Sequence, residues 1–222
     1  MYKIPYYTEE DPEIILAFMK EYSFAVVAGI ADQYPVATHL PLDIRQVDGK
    51  IIFTGHMMKN TDHHKAFLNN NNVLVIFNGP HCHISASWYP KPDVGSTWNY
   101  ITVHAKGKIH FGSEDQTRMI IEDLTNKYEH PGSTAAFNKL SEVYVDRMVK
   151  AINGFTIEVE SHENVFKLSQ NYDSITRNII VSHLDARGDE NSVAIAKEVR
   201  KRISLRLKKI ATEDAERKEK YD

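Results

Sequence analysis

Between Val73 and Phe111 runs of β-branched and aromatic residues follow one another with short turn-forming breaks between them, and a chain with so much extended structure in one stretch has few folds open to it. Residues 73–77 predict a strand that ends at the turn pair Gly79-Pro80, and residues 82–85 resume extended character, so two strands joined by a tight turn are expected. From Trp98 to Phe111, Tyr100, Thr102 and His104 alternate with Ile101, Val103 and Ala105, the pattern of a long half-buried strand. The Pro-rich connection between these strands carries Trp88 and Tyr89 and leads to Trp98. Both tryptophans of the chain therefore lie in or beside one loop. An indole packs a core or stacks on a planar ligand, and the loop by itself is compatible with both.

The flanking sequence fits an antiparallel β architecture. Asp11-Pro12 ahead of an apolar-periodic run predicts a helix with Asp11 as its N-cap. Residues 23–29 and 36–44 read as strands. Asp48-Gly49 between two apolar runs is the strongest hairpin signal in the chain. Residues 61–68 predict a short helix stopped by the asparagine run 69–72. Ser113 and Gln116 stand in capping-box positions for a helix over 113–128. A further helix is expected over 137–151, a strand over 154–159, and mostly helix after residue 171, with Val199, Ile203, Leu207 and Ile210 at spacings of three and four. About six strands in close succession, without regular strand-helix alternation, favour an α+β fold built on a closed or split antiparallel barrel over a nucleotide-binding parallel sheet. No GxGxxG or P-loop run opposes that reading.

Composition sets the outer bounds. With 42% hydrophobic and 26% charged residues the chain reads as an ordinary soluble protein. It has no apolar run of membrane-spanning length and no secretory-type N-terminus, so the cytoplasm is the expected location. The single cysteine, Cys82, excludes an internal disulfide and a cysteine-based zinc site. A net charge of −3 argues against a strongly basic nucleic-acid binder, though not against a local basic patch.

The ordered segments MYKIPYY, VATHLPL, TGHM, VLVIFNGPHCHISASWY, STWNYITVH, GF and KLSQN resemble the PaiB-type family of FMN-binding negative transcriptional regulators, and the resemblance spans nearly the whole chain. It implies an antiparallel split β-barrel of the flavin-binding type with peripheral and C-terminal helices: a barrel domain over 1–160 and a mainly helical extension over 161–222. It also implies a homodimer with FMN at the subunit interface. Thr38, His39, Leu40 and Pro41 match the family strand that would pass beside the flavin ring. Gly55, His56, Met57 and Lys59 match the strand end that would face the phosphate. Ser85, Ser87, Trp88, Trp98 and Asn99 match an aromatic loop that would close over the flavin. The sequence departs from the family pattern at Lys59 to His64, where the family has Arg, Ala, Asn, Pro, Gln and Trp. It departs again at His83 for Tyr, at Ala86 for Pro and at Gly95-Ser96. Lysine keeps the charge of the arginine it replaces but loses its bidentate fork, and Asp62 adds a negative charge nearby.

These features order the functional classes. A flavoprotein comes first, as a regulator or as a flavin-dependent oxidoreductase. No side chain stands out as a proton donor to a substrate, so no catalytic residue is assigned and an enzymatic role rests on analogy. DNA binding would fall to the basic run over 197–209, which the acidic residues after it dilute. Haem is the third class, since one axial histidine suffices and His39, His56, His63, His64, His81, His83 and His104 are available. No non-haem metal site is expected: the spacing of the histidines gives it little support, and the adjacent His63 and His64 would point to different faces of a helix.

Overall fold

A computed structural model describes Met1 and residues 4–219, and of residues 205–219 the backbone alone. In chain order the elements are α1 (Pro12–Glu21), β1 (Phe24–Gly29), β2 (Val36–Pro41), β3 (Asp43–Val47), β4 (Lys50–Met58), α2 (Asp62–Asn69) and β5 (Asn72–Ile84). They continue with β6 (Thr97–Phe111), α3 (Glu114–Tyr128), α4 (Glu142–Ala151), β7 (Ile152–Lys167), α5 (Ser174–Arg187) and α6 (Glu190–Glu219). The strands form one antiparallel sheet in the order β2-β1-β5-β6-β7-β4-β3, which makes the fold α+β. By internal contacts the chain divides into two compact units. One comprises Asp11–Asn78 and Val103–Glu163; the other comprises Met1–Glu10, Gly79–Thr102 and Asn164–Asp222.

In the first unit the local signals produce what they predict. The Asp11 side chain accepts from the Glu13 amide, and Ser113 and Gln116 complete a capping box at the start of α3. Asp48 and Gly49 both take positive φ, 50° and 79°, the backbone of the two-residue turn that matches strand twist, and they join β3 to β4. The core of this unit is aromatic: Phe53, Phe67, Phe77 and Phe155 are each at most 1% exposed, and Phe53 meets Phe77 edge to face at 5.2 Å. Burial of each ring stabilises by about 1.5–3 kcal/mol. Helix α3 comes so close to β7 that a Cβ on Gly154 would lie 2.9 Å from the Thr117 Cα. The Thr117 hydroxyl uses the space, accepting from the Gly154 amide and donating to the Ser113 carbonyl, both at 2.9 Å.

Besides β7, which runs to Lys167 where the strand was expected to end at 159, three elements differ from expectation. Gly79-Pro80 does not turn the chain: β5 passes straight through it as a single strand. Val73, Val75 and Phe77 are buried on one side of the pair and Pro80, Cys82 and Ile84 on the other, so the alternation changes phase there. One extra residue in a strand has that effect, and a bulge is where a strand tolerates proline. The expected strand over 36–44 breaks at Leu42 into β2 and β3, because Leu42 leaves the ladder to enter the core. The predicted helix over 137–151 begins as a 3-10 turn at Phe137–Lys139, and α4 starts after the new N-cap, Ser141.

The second unit packs α5 against α6 through Ile180, Leu184, Ile195 and Val199, each at most 1% exposed. Arg202 of α6 pairs with Glu9 at 2.6 Å and covers the Phe166 ring at 4.8 Å. Leu207 and Ile210, which extend the same spacing, and residues 205–209 of the basic run have side chains outside the described set, as do Tyr2 and Lys3 of the first family segment.

Candidate functional site

The predicted ring-binding strand is β2, and its place in the sheet suits that role. β2 is terminal in the sheet and among the described residues pairs only with β1, so one of its two rows of backbone N–H and C=O groups has no strand partner there. Thr38 and Leu40 stand opposite the buried Val27 and Ala25 and lie half-buried on the core side. His39 faces the other way, exposed, and stacks on Phe24 with ring centroids 6.2 Å apart. Pro41 pairs with Phe24 at the end of the ladder.

β4 contributes the second predicted segment. Gly55 and Met57 face the core, where Met57 is 2% exposed, while Thr54 and His56 occupy the opposite face. His56 lies across from Gly154, beneath the region that α3 covers. Its Nδ1 is buried without a hydrogen-bond partner. Burial pushes the His56 pKa below the usual histidine value and keeps the ring neutral. Beside this face, α3 and the strands enclose a cleft of about 260 Å³. Phe111, Phe155, Met119 and Ile120 supply its apolar lining, and Thr54 and Thr156 its hydroxyls. Its rim is braced by Arg45, which donates to Asp43 at 2.6 Å and to Asp123 at 2.8 Å, with Lys127 on Asp43 at 3.2 Å. Burial raises the Asp43 pKa, but hydrogen bonds from Arg45 and Lys127 outweigh it and the net shift is downward.

The end of β4 that would face a phosphate is already partly engaged. Lys59 donates its Nζ to the Val149 carbonyl at 3.2 Å and its amide to the Ala151 carbonyl at 2.9 Å, which fastens it to the C-terminus of α4. The first amides of α2 are taken by its own side chains: His63 N by Asp62 at 2.7 Å and His64 N by Thr61 at 3.3 Å. The hydrogen bond from the His63 backbone, followed by that from its ring, lowers the Asp62 pKa, so the carboxylate stays ionised at this helix start. His64 is buried, accepting from the Asn60 amide at 3.3 Å with Asn153 3.3 Å from its other nitrogen. Asn153 is 89 residues away in the chain, and no local pattern announces that pairing.

In the second unit the predicted loop residues separate into different environments. Ser85 caps the 3-10 turn at Ala86–Trp88, its hydroxyl 2.8 Å from that of Ser87. Trp88 lies flat on His183, centroids 4.9 Å apart and planes 7° apart, with the Arg187 guanidinium 4.7 Å from its ring. Asn99 is fully buried and exchanges hydrogen bonds with Ser169 at 3.0 and 3.2 Å. Ser169 holds a positive φ of 61°, so the KLSQN segment is a turn fastened to β6. Trp98, by contrast, is 53% exposed.

β2, with one unpaired row of backbone groups, and β4, with the unpartnered Nδ1 of His56, belong to an antiparallel sheet with flanking helices that comparison with solved structures places in the split-barrel fold class. The chain is similar in fold to the FAD and heme binding protein from Mycobacterium smegmatis, with a TM-score of 0.56 and 15% identity, covering 82% of this chain and 80% of that one. It is similar also to the flavocytochrome Anf3 from Azotobacter vinelandii, with a TM-score of 0.55 and 15% identity, covering 75% and 72%. Residues 1–161 match the family described as "Putative FMN-binding domain", and the chain belongs to that family. It is 34% identical over 197 residues to the protease synthase and sporulation protein PAI 2 of Bacillus subtilis (strain 168), spanning 88% of this chain and 95% of that protein. The PaiB-type resemblance and FMN as the cofactor therefore stand. Among the described residues no helix is long and apolar enough to cross a membrane.

The residues present fit this cofactor. The unpartnered Nδ1 of His56 is an orphaned polar atom on the predicted strand, and the Lys59 ammonium carries three protons, of which Val149 takes one.

Proposed function

We propose that this chain is a cytoplasmic, homodimeric FMN protein whose working centre is the flavin, and that β2 and the end of β4 hold the cofactor. FMN supplies electron-transfer and hydride chemistry when bound. The protein's share is orientation and access. Thr38 to Pro41 would offer backbone groups to the polar edge of the ring, His56 would supply a neutral nitrogen, and Lys59 would meet the phosphate as a point charge. Trp98, the exposed ring of the loop, would close over the ligand of a partner subunit, with Ser85 and Ser87, whose hydroxyls bond each other, shaping the loop. Trp88 and Asn99 are spent on packing and would act by holding the loop.

The observation that carries this reading is the outer face of β1 and β5. Val26 stands opposite Ile76 and Ala28 opposite Leu74, and this apolar row is only half-buried, with Phe24 67% exposed at its end. An apolar sheet face of this kind calls for a cover, and a second copy of the chain supplies one while bringing two β2 strands into the same interface. Gel filtration with absorption detection tests it. A dimer eluting with two flavin bands after FMN addition supports the reading. Phe24→Glu is expected to shift elution to the monomer and to release FMN with it. A monomeric Phe24→Glu protein that keeps FMN would place the cofactor away from the interface.

A regulatory role through DNA receives less support. Arg200 of the basic run, though exposed, pairs with Asp185, and Arg202 is committed to Glu9 and Phe166, leaving Lys197 and Lys201 as the exposed cations outside an ion pair among the described side chains.

A further inference from the structure

Histidines 81 and 83 do not enter the flavin reading, yet the fold treats them as a pair. Successive strand residues point to opposite faces, and burial over 81–83 runs exposed, buried, exposed, so both imidazoles stand on the solvent side of β5 with Cys82 beneath. Both meet the same indole. Trp98 of β6 lies 6.3 Å from the His81 ring and 6.0 Å from the His83 ring, centroid to centroid.

The backbone under the pair is braced, since the His81 amide donates to Asn191 at 3.4 Å and Arg187 donates to the His83 carbonyl at 3.0 Å. The His81 ring is also oriented. Its Nδ1 lies 3.3 Å from the Gly79 carbonyl oxygen. A carbonyl only accepts, so the proton resides on Nδ1 and the lone pair on Nε2. An imidazole that donates one nitrogen to a backbone carbonyl and presents the other is arranged as metal-ligating histidines are. Among the described contacts no hydrogen bond engages the ring nitrogens of His83.

We propose that His81 and His83 form a two-imidazole site for a divalent transition-metal ion, copper(II) in preference to zinc(II). Neutral imidazole suits both ions, and at a site of fixed donors copper(II) binds more tightly. The remaining coordination positions belong to water, because among the described residues no group of three or more histidine, cysteine, aspartate or glutamate side chains is placed to hold an ion. The site does not depend on the flavin assignment.

The test is a titration of the purified full-length protein with copper(II) in a non-chelating buffer at neutral pH, followed by calorimetry and by tryptophan fluorescence. One equivalent is expected to bind and to quench the indole emission. His81→Ala and His83→Tyr should each weaken binding about tenfold or more, the order of loss when a metal site loses support. His162→Ala, an exposed histidine elsewhere on β7, should leave it unchanged. Trp98→Phe should keep the heat and lose most of the quenching, which also covers the case of a variant that folds poorly. The proposal is overturned if either histidine variant retains wild-type affinity, if each merely removes one of two independent weak sites, or if Trp98→Phe is quenched as strongly as the wild type.

Discussion

Replacing Lys59 by methionine separates the contact its ammonium makes in the structure from the phosphate role proposed for it. Its Nζ closes the C-terminus of α4 on the Val149 carbonyl, a contact at a helix end worth about 0.3–1 kcal/mol to stability. Its remaining protons are the ones available to a phosphate. A hydrogen bond to a charged group contributes about 1.5–3 kcal/mol, and at about 1.4 kcal/mol per factor of ten this is roughly 10- to 150-fold in affinity. Riboflavin, which has the ring but no phosphate, gives the control. The wild type is expected to prefer FMN over riboflavin, and Lys59→Met to shrink that preference by the stated factor while riboflavin affinity holds. Flavin fluorescence quenching on titration of each ligand measures both constants. Lys59→Arg should retain the preference, since the charge survives. If Lys59→Met weakens both ligands in equal proportion, Lys59 acts through the strand end and not through the phosphate; if neither changes, the phosphate assignment is wrong.

Thr117→Val would leave the Gly154 amide buried and unpartnered, at a cost of about 1–3 kcal/mol, while Thr117→Ser should restore most of it. Denaturant unfolding and amide exchange at Gly154 measure the effect, and a valine variant within about 0.5 kcal/mol of wild type would show that the tie between α3 and β7 is dispensable. His56 has a folded pKa below its ordinary value of 6.5, so the unfolded chain binds more protons between the two. Its contribution to stability is therefore complete above about pH 6.5 and declines as pH falls toward the folded pKa. His56→Gln should flatten the acid side of the stability profile over that interval, and an unchanged slope would assign it to the other lowered histidines, His64 and His104.

The local elements were legible because their signals are short-range. Asp11, Ser113 with Gln116, and Asp48-Gly49 each act within four residues, and each operates as its chemistry predicts. The ordered segments across nearly the whole chain, most specifically those from Val73 to His104, likewise indicated the family. Gly79-Pro80 was ambiguous for the same reason that the others were clear. A glycine-proline pair suits a turn and a shift in strand alternation equally, and only the sheet on either side keeps it within β5.

What the chain order alone determines is the class of element at each position, the antiparallel character of the β structure and the chemistry on offer. Which groups remain free to use that chemistry is a tertiary matter. Lys59 gives one proton to a helix that begins more than eighty residues later, Asn99 is consumed by Ser169, and Trp88 is covered by His183 and Arg187. His81 and His83 become a pair on one face because a strand, and not a turn, carries them. Propensity and capping are set by neighbours in sequence, whereas burial, hydrogen-bond satisfaction and the partner of a side chain depend on residues the chain brings together only when it folds.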